Sequence, residues 1–267
     1  MPRQGPLDGI AGVMLDLDGV LWVGRTPVRG APEAVEKMRE MGKRIVFTTN
    51  NSSRSRRECV AMLGKIGIRA AEMEILTSGY VAAVYLSRVP GKVRAYVIGE
   101  RGLKEELSRA GIRLLSEDRA DEATHLVVGK DSGINYGRIW AGLRAIMSGA
   151  EFVATNTDPT YPTERGLAPG AGSMVGAITG CSGRSPDVIM GKPYPHMMKL
   201  ALELMGTEPE RTAIIGDRLE IDVRAGKSLG MRTVLVLSGV TGREAVKKIG
   251  KEMRPDFVFG SLAEVVR

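Results

Sequence analysis

The stretch "GVMLDLDGV", Gly12 to Val20, is an apolar run that stops on Asp16, with Asp18 one residue later. An unpaired charge at the end of a buried strand is costly, so the two carboxylates need a partner. One reading supplies solvent: Asp before Gly is a common turn pair. The other supplies a cation and a reaction. Residues two apart on a strand share a face, so Asp16 and Asp18 are expected to point the same way from its C-terminal end.

Outward from that stretch, short apolar runs alternate with amphipathic segments. "IAGVMLD" reads as a strand and "APEAVEKMREMGK" as a helix, with Pro32 in its first turn and Gly42 near its end. "RIVFTT" follows as a strand and "SRRECVAMLGKIG" as a helix. This alternation predicts an α/β fold with a doubly wound parallel sheet and helices on both faces. From about Tyr80 the pattern restarts, with strands at "VRAYVIG", "THLVVG" and "EFVAT" and helices at "RGLKEELSRAG" and "NYGRIWAGLRAIMSG". After Gly183 the first style returns through "DVIMGK", a helix from Pro195 to Gly206, "RTAIIGD", a helix through Ala225, "RTVLVLS" and "DFVFGSLAEVV". The segment "TNTDPTYPTERGLAPGAG" reads as a long Pro- and Gly-rich loop, a length that is often functional.

Composition narrows the classes. With 267 residues, 43% hydrophobic and 26% charged, the chain can bury a substantial core without staples. The net charge of +7 suits an anionic partner, but Lys and Arg alternate with Glu through the helical segments, as on a solvated surface. Only 4% of residues are aromatic, which argues against base-stacking platforms, so no nucleic acid is expected. A positive field still favours small phosphorylated anions. Cys59 and Cys181 stand in unrelated contexts and suggest no disulfide framework or zinc site. No apolar run approaches the ~18 residues of a membrane span, and "MPRQGPLDG" has no apolar signal region. A cytoplasmic protein is the expectation.

Four strand ends carry polar residues in order. The first is Asp16-Leu17-Asp18-Gly19, where Gly19 lets the chain turn sharply. Two carboxylates there can hold a hard cation through oxygen and divide nucleophilic and acid–base work. The second is "VFTTNNS", in which Thr48, Thr49, Asn50 and Asn51 offer donors, although Ser52 or Ser53 can equally be a helix cap. The third is "MGKPYP", which places Lys192 just before a helix; an ordinary surface lysine is the alternative. The fourth is "IIGDRLEIDV", with Asp217 and Asp222, where acidic residues of a first helical turn are the alternative. Strand ends of this kind line the crevice in which open parallel sheets bind ligands.

Acidic pair, hydroxyl, lysine and distal acid, in this order, resemble the motif set of the haloacid dehalogenase-like phosphatases. "LDLDGVLW", "TTNNS", "GKPYP", "GDRLEIDV" and "NTDPTYPTERGLAPGAG" are similar to the NagD-like and p-nitrophenyl phosphatase-like subgroup, IIA, from about Ile10 to the C-terminus. The resemblance implies a Mg2+-dependent phosphomonoesterase acting on a small phosphorylated metabolite. Asp16 is then the nucleophile that becomes an aspartyl phosphate, and Asp18 the acid and base. Mg2+ is held by Asp16, the backbone carbonyl of Asp18 and Asp217, with Asp222 a ligand or a neighbour acting through water. Thr49 and Lys192 hold phosphoryl oxygens beside Gly19, helped by Asn50 or Asn51. Residues 1–77 and 186–267 form the core and 78–185 a C2-type cap, whose Asn156, Asp158 and Tyr161 are candidates to contact the leaving group. Related enzymes often pair through their caps, which implies a possible homodimer. Two rivals share the site: a phosphotransferase using the same intermediate, and a phosphometabolite-binding protein with negligible turnover.

Other motifs fail on context. "GKSLG", Gly226 to Gly230, matches a serine-hydrolase elbow but lies inside a helical pattern. "AGKS" has Ile221 where a P-loop needs glycine, and "GAGSMVG" has Val175 where a dinucleotide fingerprint needs one. His125 falls in a strand pattern and His196 at a helix start, both readable as structural.

Overall fold

Every residue of β1 (Gly12–Asp16) is buried, as expected of a parallel strand covered on both faces. It runs parallel to β4 (Arg44–Thr49) on one side and β13 (Thr212–Gly216) on the other. The computed structural model describes residues 5–24, 26–163 and 166–267. In it β1 lies inside a six-stranded sheet whose order is β15 (Phe257–Phe259), β14 (Arg232–Val236), β13, β1, β4 and β5 (Ile75–Thr77). The chain leaves β1 for β4 on one side and later fills β13, β14 and β15 on the other. The winding direction therefore reverses beside β1, which opens a crevice at the C-terminal ends of β1 and β13. A short hairpin, β2 (Trp22–Val23) and β3 (Thr26–Pro27), follows β1 directly.

The chain divides into two compact units. One holds the residues up to Thr49, Val60–Leu76 and Lys192–Arg267, and the other Asn50–Cys59 and Thr77–Gly191. The second unit has its own five-stranded sheet in the order β12 (Val188–Ile189), β9 (Glu151–Ala154), β8 (His125–Val128), β6 (Arg94–Ile98) and β7 (Arg113–Leu115). Its core gathers Ile98, Leu126, Val128, Phe152 and Ile178.

Two sequence expectations change here. "DVIMGK" reads as a return to the first sheet, yet β12 pairs with β9, so the second unit runs to Gly191 rather than ending at residue 185. The anchor is Asp187, whose N–H donates to the Phe152 carbonyl at 2.8 Å and whose Oδ2 accepts from the Phe152 N–H at 2.7 Å. The long loop also contains a hairpin, β10 (Thr160–Thr163) with β11 (Gly166–Pro169). Pro and Gly hid it, since both read as breakers of a strand. The helices Ser78–Ser87 and Ala171–Ser182 were also unmarked in the sequence pattern. Neither Cys59 nor Cys181 forms a disulfide. Among the described residues no helix is long and apolar enough to cross a membrane.

Candidate active site

β1 delivers Asp16 to the crevice and ends there; Asp18 lies beyond it in a turn. The two-residue alternation of a strand therefore does not govern this pair. Asp16 is 8% exposed, whereas Asp18 faces solvent. The turn needs Gly19, whose φ is +84° and whose N–H donates to the Trp22 carbonyl at 2.7 Å. A Cβ on Gly19 would also come within 2.2 Å of Asp217 Oδ2. The work of Gly19 in this unit is thus to make room for Asp217.

Lys192 is 2% exposed and sits among carboxylates. Its Nζ donates to Asp16 Oδ1 at 2.5 Å and to Asp222 Oδ1 at 2.7 Å. Asp222 is fixed from the other side, since its Oδ2 accepts from the Arg218 N–H at 3.1 Å within a π-helical turn over Leu219–Val223. Asp217 follows β13 and is 2% exposed. Its Oδ2 accepts from the Val240 N–H at 2.7 Å. Its Oδ1 is buried and has no hydrogen-bond partner. Gly216 and Gly239 escape sequence reasoning. A Cβ on the first would meet Asp222 at 2.1 Å, and one on the second would meet Asp217 Oδ2 at 2.0 Å. Their sequence signal is only a glycine at a strand end or in a loop.

Asp16, Asp217 and Asp222 bring carboxylate oxygens within 4.8 Å of one another. Three carboxylates and one ammonium leave two net negative charges when all are ionised. Burial, then repulsion from Asp222 and Asp217, pushes the Asp16 carboxyl well above its usual range despite the Lys192 contact. Burial and Asp222 likewise push Asp217 up to about 7, against the Val240 N–H and Lys192. Burial opposes the charge on Lys192, but Asp16 and Asp222 outweigh it and hold the ammonium above its usual range. Such a cluster is stable at neutral pH only when the excess negative charge is met. An all-oxygen donor set, a spare charge of two and an orphaned buried oxygen fit a hard divalent cation.

The other candidates divide. Thr49 closes β4 and is buried; in the β1–β4 register Asp16 stands opposite Thr48, whose hydroxyl donates to the Leu15 carbonyl at 3.4 Å. In the second unit Asn51 turns inward, its Oδ1 accepting from the N–H and hydroxyl of Ser53. Asn50 Nδ2 donates to both Asp158 oxygens, at 3.3 and 3.4 Å. Asn156 commits its amide to backbone groups, Nδ2 donating to the Asn50 carbonyl at 2.7 Å and Oδ1 accepting from the Asp158 N–H at 3.1 Å. Tyr161 lies on β10 with the Lys130 ammonium 4.7 Å from its ring centre. His125 is buried in β8 with its Nε2 3.0 Å from a Glu151 carboxylate oxygen, and burial lowers its pKa.

Known proteins resemble this chain in sequence and in fold. The family model for haloacid dehalogenase-like hydrolases matches residues 13–113, and a HAD-hydrolase-like model matches residues 189–265. Phosphoglycolate phosphatase 2 of Arabidopsis thaliana is 34% identical, over 97% of this chain and 93% of its own. The solved structure of a p-nitrophenyl phosphatase from Archaeoglobus fulgidus is 40% identical with a TM-score of 0.90, over 96% of this chain and 98% of that one. Glycerol phosphate phosphatase from Mycobacterium tuberculosis, solved with magnesium, is 31% identical with a TM-score of 0.89, over 98% of this chain and 78% of that one. By these likenesses in sequence and fold, the chain belongs to the haloacid dehalogenase-like hydrolases, in their NagD-like and p-nitrophenyl phosphatase-like subgroup, and is a phosphoric monoester hydrolase.

Proposed function

We propose that Asp16 is the nucleophile of this phosphatase and that small phosphorylated metabolites are its substrates. The observation that carries the reading is the buried cluster of three carboxylates, Asp16, Asp217 and Asp222, around the single ammonium of Lys192, with the orphaned Asp217 Oδ1. The cofactor is Mg2+; Asp16, Asp217 and the Asp18 backbone carbonyl would hold it, with Asp222 beside them. When bound, the ion neutralises phosphoryl charge. Asp16 attacks phosphorus, and Lys192, already protonated, binds a phosphoryl oxygen. Asp18 gives its proton to the leaving oxygen and then takes one from the water that cleaves the aspartyl phosphate. Thr49 donates to a further phosphoryl oxygen. In the second unit, read as a C2-type cap, the loop of Asp158 and Tyr161 selects the leaving group, and Asn156, whose Oδ1 accepts from the Asp158 N–H, holds that loop in place.

The test is phosphate release from p-nitrophenyl phosphate and a panel of phosphorylated metabolites, with Mg2+ and with EDTA. Release without any added acceptor, lost in EDTA, supports hydrolysis. Leaving-group release that requires an added acceptor, with the phosphoryl group on that acceptor and no inorganic phosphate, makes the chain a phosphotransferase.

The charge argument also sets a pH dependence. Asp217 in the folded metal-free protein binds a proton up to about pH 7, above its ordinary 3.8. The folded state therefore holds more protons than the unfolded state between those values, so this group's contribution to stability falls as pH rises through that window. Mg2+ removes the penalty. Its stabilisation, read as a thermal shift, is expected to be larger at about pH 8 than at about pH 5.5. An equal shift at both values sinks the assignment of Asp217.

Pairing through the second unit has a surface to use. Tyr136, Trp140 and Met147, 82%, 59% and 75% exposed, lie along one stripe of the Tyr136–Met147 helix. An apolar stripe of this kind marks an association surface, and a homodimer burying it is expected. Sedimentation should show a dimer that Trp140→Glu dissociates while p-nitrophenyl phosphate turnover persists. A wild-type monomer rules the pairing out.

A further inference from the structure

Asp18 needs a fixed direction, yet it is exposed and lies outside any strand. A free carboxylate in solvent samples several rotamers, and a reacting group misplaced by about 1 Å can lose about a hundredfold in rate. One side chain restrains it. Trp22 is 3% exposed, and its indole Nε1–H donates to Asp18 Oδ1 at 2.9 Å.

The frame around that bond is stiff. Trp22 begins β2 and stands opposite Pro27 of β3. Its backbone carbonyl accepts from the Gly19 N–H at 2.7 Å, and its N–H donates to the Leu17 carbonyl at 3.4 Å. The Gly19 carbonyl accepts from the Ser238 hydroxyl at 2.6 Å. The indole is thus held by its backbone on one side and by burial on the other.

We infer that Trp22 is the positioning residue for Asp18, and that it assigns the two carboxylate oxygens different jobs. An indole N–H only donates and has no lone pair to offer a proton. It can hold Oδ1 without competing in proton transfer. Oδ2 is left as the oxygen that works. In the first half-reaction the P–O bond to the leaving group breaks, an Asp16–P bond forms, and the proton on Oδ2 passes to the departing oxygen. In the second, water gives a proton to Oδ2 as its oxygen bonds to phosphorus and the Asp16–P bond breaks. Atoms and charge balance over the cycle, and Asp18 ends protonated as it began. This inference rests on the reading of Asp18 as the acid and base.

The test separates Trp22 from a residue that merely fills space. The quantity is the first-turnover rate of leaving-group release for two substrates. One is an alkyl phosphate that the wild type turns over, phosphoglycolate or glycerol phosphate, whose alkoxide leaves only with a proton. The other is p-nitrophenyl phosphate, whose phenolate leaves without one. Trp22→Phe is expected to slow the alkyl phosphate about tenfold or more while changing p-nitrophenyl phosphate by less than about threefold. KM should move little for either. A benzothiophene side chain at position 22 keeps the shape and loses only the N–H; it should behave as Trp22→Phe does, with an unchanged melting temperature. Asp18→Asn provides the reference and should show the same selectivity, enlarged. Equal losses on both substrates, or none, in the benzothiophene variant overturn the inference. If Asp18→Asn itself shows no dependence on the leaving group, the reading of Asp18 falls, and the role of Trp22 falls with it.

Discussion

Asp16→Asn is expected to lower turnover of p-nitrophenyl phosphate by about four orders of magnitude or more, because no other group replaces a lost nucleophile. The same variant should fold at least as stably as the wild type in the absence of metal. Burial and two neighbouring carboxylates hold the Asp16 carboxyl above its usual range, so its charge is a cost to the folded metal-free protein. Removing that charge leaves Lys192 paired with Asp222 at 2.7 Å. Activity and stability therefore move in opposite directions, as they do where a site is strained for function. Circular dichroism melts in EDTA beside steady-state kinetics in Mg2+ check both halves. A variant that loses activity and melts well below the wild type would mean that Asp16 is structural.

Lys192→Met is the second large effect, and its sign is the reverse. Lys192 is bonded through its ammonium to both Asp16 and Asp222, and its side chain is 1% exposed. Without it, three carboxylates face one another with no ammonium. Breaking a buried ion pair from one side costs about 3–5 kcal/mol. For a chain of this size that is a fall of about 6–20 °C in the melting temperature of the metal-free protein. Turnover should fall as well, since the phosphoryl group loses a charged donor that needs no reorganisation. Adding Asp222→Asn to Lys192→Met should restore much of the stability, because it removes one of the stranded charges, and none of the activity. A single variant that melts like the wild type would show that Lys192 does not neutralise the cluster.

How much of this is legible in the sequence follows from where each signal is stored. Asp16, Lys192, Asp217 and Asp222 are visible because each interrupts or follows an apolar strand, and a polar residue there has no bland reason to recur in four places. The doubly wound core is visible because β1, β4, β13 and β14 each carry a run of three apolar residues, VML, IVF, AII and VLV. The glycines that seat the site are not. Gly239 matters because it lies against Asp217, a tertiary approach with no local pattern. Trp22 is quoted in the motif, but its indole reaches back four residues through a turn, so its bond to Asp18 belongs to neither strand nor helix periodicity. The sheet that β12 joins was equally hidden. Two residues carry no register, and the decision falls to the hydrogen bonds between Asp187 and Phe152. Asn156 carries a different lesson. A polar side chain in a long loop can be spent on backbone groups, and only the partners of its amide reveal that.

The central claim is that the phosphoryl group passes through Asp16. Rapid acid quench of the enzyme during turnover, followed by peptide mass analysis, measures it directly. Asp18→Asn should help, because it slows the water attack more than the first transfer when the leaving group is p-nitrophenolate. The expected result is a burst of p-nitrophenolate equal to the enzyme present, with one phosphoryl group on the peptide that contains Asp16 and none in Asp16→Asn. A phosphorylated residue elsewhere, or steady release of p-nitrophenolate with no covalent enzyme, would show that the reaction takes another route.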